Sequence, residues 1–99
     1  VDRHALAVMD LRYAVLASPG AVEQATREAA HYETPLPEPW ADYVAKVRDA
    51  SYKITDADIE GLIAAGCSED AIFELTLAAA IGAATRRLDA GLRAVREAD

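Results

Sequence analysis

The stretch Leu75-Thr76-Leu77-Ala78-Ala79-Ala80-Ile81-Gly82-Ala83-Ala84-Thr85 contains no ionisable side chain. Its alanines lose no rotamer freedom on ordering, and no alternation of apolar and polar residues suggests a strand, so it reads as helix. A helix that is apolar on every face has to be covered on every face, by other helices of the chain or by a second copy of it. The stretch falls well short of the ~20 residues that span a bilayer. Ala78, Ala79, Gly82 and Ala83 are small enough to admit a neighbouring backbone. Gly82 costs about 1 kcal/mol relative to alanine in a helix, and close packing is the physical reason to keep it. These four residues are expected at an interface between copies, in a dimer or a trimer-based assembly.

Upstream, Ser68-Glu69-Asp70 supplies a cap and places acids at the positive end of this last helix. The helix is expected to run to about residue 96, or ~40 Å at 1.5 Å per residue. Thr55-Asp56-Ala57-Asp58 has the form of a capping box for a short fourth helix carrying Ile59, Leu62 and Ile63, which Gly66 ends in the left-handed manner. A third helix is predicted over 39–50, with Trp40, Tyr43, Val44 and Val47 on one face. Before it, Thr34-Pro35-Leu36-Pro37-Glu38-Pro39 forms an extended connector, because residues preceding proline avoid helical angles. The first helix is expected over 3–17, with Leu6, Met9, Tyr13 and Leu16 as its stripe. A second is expected over 19–32, with Ser18 as cap, Pro19 in its first turn and Val22, Ala25, Ala29 and Tyr32 as its apolar side. The chain thus reads as all-α, with about five helices. It is one domain over 1–99: an N-terminal helical pair (1–33), a Pro-rich connector (34–39) and a helical core (40–99).

Seventeen acids against ten bases give a net charge of −7, with no basic cluster to offset it. Phosphate backbones and anionic membranes are repelled by such a surface, so no nucleic acid and no membrane is expected as partner. The N-terminus lacks the basic-then-apolar layout of a signal peptide, which makes the cytoplasm the expected location. The single Cys67 excludes an intrachain disulfide and any Cys-x-x-Cys chemistry within one chain.

From Pro39 onward the chain resembles the carboxymuconolactone decarboxylase / alkylhydroperoxidase D-like superfamily. The resemblance lies in Tyr43-Val44-Ala45-Lys46-Val47, Ile54-Thr55-Asp56-Ala57-Asp58-Ile59 and Leu62-Ile63-Ala64-Ala65-Gly66. It continues through Ser68-Glu69-Asp70-Ala71-Ile72-Phe73-Glu74-Leu75 to Arg87-Leu88 and Leu92, a little over half the chain. It implies a helical bundle with a long central C-terminal helix. Peroxidatic members carry a Cys-x-x-Cys motif with a nearby histidine and glutamate, and no position here takes those roles. Where related members show Asn-x-x-Asn-Arg-Leu, this chain has Ala83-Ala84-Thr85-Arg86-Arg87-Leu88, which keeps the arginine and loses both asparagines.

These departures lean against an enzyme and favour a non-catalytic helical domain acting through self-association or by binding a protein or small-molecule partner. Two catalytic readings stand beside it: thiol-dependent peroxidase chemistry at Cys67, and cysteine-independent chemistry of the carboxymuconolactone decarboxylase kind. Cys67 precedes a helix start, which favours thiolate, but Glu69 and Asp70 oppose that and packing is the simpler role. Trp40 and Tyr43 are candidates for lining a ligand pocket, against simple packing behind the connector. Arg87, with Arg86, is a candidate for holding an anion, against an ion pair with Asp89, Glu74 or a carboxylate of another copy. His4 and His31 fit no ligand spacing. His31 is expected to be exposed or, when protonated, to suit a helix C-terminus. No metal and no cofactor is expected.

Overall fold

The computed structural model describes residues 3–16 and 19–98, with side chains from Leu6 onward. Five α-helices and no strand occur among them. They are α1 (Arg3–Leu16), α2 (Gln24–Tyr32), α3 (Trp40–Asp49), α4 (Asp56–Ala64) and α5 (Glu69–Ala98), with a single 3₁₀ turn at Ser51–Lys53. α5 is the spine, and α2 packs most extensively on it, followed by α3, α1 and α4. At 1.5 Å per residue, the thirty residues of α5 account for most of the 51 Å long axis.

Local chemistry sets the ends of the elements. The Thr55 N–H donates to Asp58 Oδ2 at 2.9 Å, closing the expected capping box. The Lys46 ammonium holds the other oxygen at 2.8 Å, tying α3 to α4. This hydrogen bond, then the Thr55 amide, keeps the Asp58 carboxyl below its usual range. Gly66 ends the α4 region at φ +99°, a conformation that strains any residue with a Cβ. The Ser68 hydroxyl accepts from the Ala71 N–H at 3.1 Å, capping α5.

α2 begins later than the 19–32 helix expected. The Ala21 and Val22 N–H groups donate to the two oxygens of Glu74 on α5, at 2.7 and 3.1 Å. Pro19 to Glu23 is therefore held as a bent approach with its amides satisfied from outside, and the helix starts at Gln24. The proposed Ser18 cap lies outside the described residues, as does the His4 side chain.

The core joins Leu16, Val22, Ala30, Tyr43, Val44, Val47 and Leu62 to one face of α5. That face is Ala71, Ile72, Leu75, Ala78, Ala79, Gly82 and Ala83. The four small residues expected between copies are thus used inside the protomer. A Cβ on Gly82 would collide with the backbone carbonyl of His31, so its absence lets α2 lie directly on α5. Arg86, one turn on, donates to the same carbonyl at 2.6 Å and pairs with Glu33 at 2.8 Å.

Two amphipathic assignments are corrected. α2 turns Arg27, Ala30 and His31 inward while Ala25 and Tyr32 are exposed, because contact with Gly82 and a bond from Arg27 to the Val15 carbonyl set its rotation. In α1 only Leu16 of the expected stripe is buried; Leu6, Met9 and Tyr13 face outward. The inner face of α5 is taken by α2 and α3, so α1 reaches the core only at its last turn.

Candidate functional site

Full coverage of α5 is also not what the single chain achieves. Opposite the buried face, Phe73, Leu77, Ala80, Ala84, Leu88, Gly91 and Val95 are all exposed. At about 100° per residue they fall within roughly 80° of arc, with Leu92 on the flank. Phe73 is 67% exposed, Leu88 49% and Val95 66%. Every residue from Arg87 to Ala98 is exposed, so the last three turns leave the body as an arm. A contiguous apolar strip of this kind on a water-facing helix marks an interaction surface.

Charge is graded along the same helix. Its first turn carries Glu69 and Asp70, whereas the arm carries Arg87, Arg93 and Arg96 against Asp89 and Glu97, with Arg86 just before it. From Arg86 onward the described residues of α5 carry a small positive excess in an otherwise acidic chain.

The sequence-predicted site residues separate. Trp40 and Cys67 line one open cleft of about 380 Å³, together with Thr26 and Ser68. No acid, base or histidine is among the described residues lining it. Tyr43 is buried elsewhere, its hydroxyl 2.6 Å from Thr76 Oγ1, which itself donates to the Ile72 carbonyl at 2.6 Å. Tyr43 therefore packs the core. Arg87 donates to the Arg48 carbonyl at 2.6 Å, satisfying an orphan carbonyl in the last turn of α3. Among the described residues, no three His, Cys, Asp or Glu side chains converge as metal ligands.

His31 departs most from expectation. It is 2% exposed, and neither ring nitrogen has a partner among the described residues. Burial, then the charges of Arg12 and Arg86, push its pKa below the usual value. Two cations that the sequence reading did not connect with it act on the ring, Arg12 on α1 and Arg86 on α5, and Arg27 precedes it by one turn on α2. A signal was available in the i, i+4 spacing of Arg27 and His31, which places both on one face of a short helix.

Comparison of the chain with family models, with curated proteins and with solved structures returned no match. No helix among the described residues is long and apolar enough to cross a membrane.

Proposed function

We propose that the chain is a non-catalytic cytoplasmic helical module, of alkylhydroperoxidase D-like architecture over 40–99, that works by self-association through the outer face of α5. The observation that carries this is the uncharged strip from Phe73 to Val95, which the protomer leaves in water. Its occupant is a second copy lying antiparallel. The acidic first turn of one α5 then meets the C-terminal tip of the other, one turn beyond the partner position of Arg96, and a two-fold axis is the economical closure. Centred on Ala84, this register sets Phe73 against Val95 and Ala80 against Leu88, large against small, with Ala84 facing its own copy. Thiol peroxidase chemistry has weaker support, since Cys67 has no base beside it in its cleft. Cysteine-independent decarboxylase chemistry likewise finds no group of titratable side chains there.

Disulfide trapping tests the arrangement. In a Cys67→Ser background, Ala84→Cys is expected to crosslink into a dimer under mild oxidation, and adding Leu88→Glu is expected to prevent it. Absence of the crosslink in the first variant would overturn the antiparallel pairing.

A further inference from the structure

A buried arginine points to a second kind of partner. Arg27 is 4% exposed, yet among the described residues no carboxylate pairs with it. Nη1 donates to the Val15 carbonyl at 2.9 Å, and Nε has no acceptor. Burying a charge without a counter-charge costs several kcal/mol, and buried guanidinium groups are normally paired. His31, one turn along α2, brings no counter-charge, and Arg12 from α1 has an Nε that is also buried without an acceptor.

Arg27 opens on a cleft of about 460 Å³ between α1, α2 and α5. Its walls are apolar, formed by Leu11 and Val15 on one side and Phe73 and Leu77 on the other. Two acids also line the cleft, but among the described residues neither forms an ion pair with Arg27. Both oxygens of Glu74 accept backbone N–H groups, and Asp70 is exposed to water. A hydrophobic slot with one buried cation is the arrangement that fixes the orientation of an amphipathic anion, and the volume lies within the range of small-molecule sites.

We infer that this cleft binds a monocarboxylate with an unbranched apolar tail, its carboxylate on Arg27 and its tail between Leu11 and Phe73. A carboxylate offers two oxygens to the planar fork of the guanidinium, supplying the acceptors and the counter-charge that Arg27 lacks. Phe73 and Leu77 line both this cleft and the strip proposed above as an interface, so tail and second copy meet on those two residues, whereas Arg27 and Val15 lie apart from the strip and serve the carboxylate alone.

Calorimetric titration of the full chain with octanoate, below its micelle-forming concentration, tests it. Octanol and octylamine, matched in tail length, serve as controls. Saturable one-to-one octanoate binding is expected, with either control at least tenfold weaker. Arg27→Met is expected to weaken octanoate at least tenfold; because it also removes the donor to the Val15 carbonyl, its fold is checked by circular dichroism beside the titration. Ala14→Trp, which fills the cleft from its exposed α1 wall and leaves Arg27 intact, is expected to lose binding equally and decides the matter if Arg27→Met does not fold. No saturable binding at millimolar octanoate would overturn the inference. So would equal binding of octanol or octylamine, or octanoate binding retained in the folded variants.

Discussion

Burial, with Arg12 and Arg86 close by, lowers the pKa of His31, and this gives the protein a particular response to acid. Burial and the adjacent Arg12 and Arg86 disfavour the imidazolium in the folded chain, whereas the unfolded chain takes up the proton near pH 6.5. The folded pKa is the lower of the two. Stability from this residue is therefore level above about pH 6.5 and falls as pH drops from there through the folded pKa. The slope is bounded by one proton, about 1.4 kcal/mol per pH unit. Thermal melts between pH 7 and 5 should show a falling Tm in the wild type and a flatter profile in His31→Phe. Parallel profiles would show that the ring titrates freely in the fold. Asp58 acts in a different window, because its folded pKa is depressed by Lys46 and the Thr55 amide. Its contribution is present above the ordinary carboxylate range and lost only at lower pH.

At the scale of elements, the approach of α2 to α5 depends on Gly82. Glycine to alanine in a helix ordinarily gains about 1 kcal/mol. Here the added methyl would meet the His31 backbone, which cannot rotate away as a side chain would. Overpacking of this kind costs about 1–3 kcal/mol, so Gly82→Ala is expected to lower stability by about 1–2 kcal/mol in urea denaturation. A variant as stable as the wild type would contradict the contact. The sequence made Gly82 conspicuous, because an unexplained glycine inside a helix calls for a close neighbour; it could not say that the neighbour was α2 and not another copy. Local signals were the most legible. The Thr55–Asp58 box, Gly66 and the Ser68 cap all act within a few residues of themselves. The start of α2 was not legible, since it is set by Glu74, more than fifty positions away. The inward turn of Arg27 and His31 was hidden for a related reason: charge at those positions argues for solvent, and only tertiary contact reverses that.

At the scale of the molecule, a slender body of 51 × 29 × 21 Å offers too little inner surface to wrap a thirty-residue helix. One face of α5 is buried by the chain itself and the opposite face carries an equally uncharged strip, so the helix is apolar on two sides and covered on one. The arm carries none of the acidic excess of the rest of the chain, so copies that meet along it are not driven apart by like charge. Phe73, Leu88 and Val95 would otherwise stand in water. Leu88→Glu lies in the exposed arm, so its effect on assembly should come without loss of helix content. The most direct measurement is the mass of the wild-type chain by light scattering across a wide concentration range, beside Leu88→Glu. The wild type is expected at twice the 10.6 kDa of one chain and the variant at 10.6 kDa; a wild type that stays at 10.6 kDa at every concentration would contradict the account.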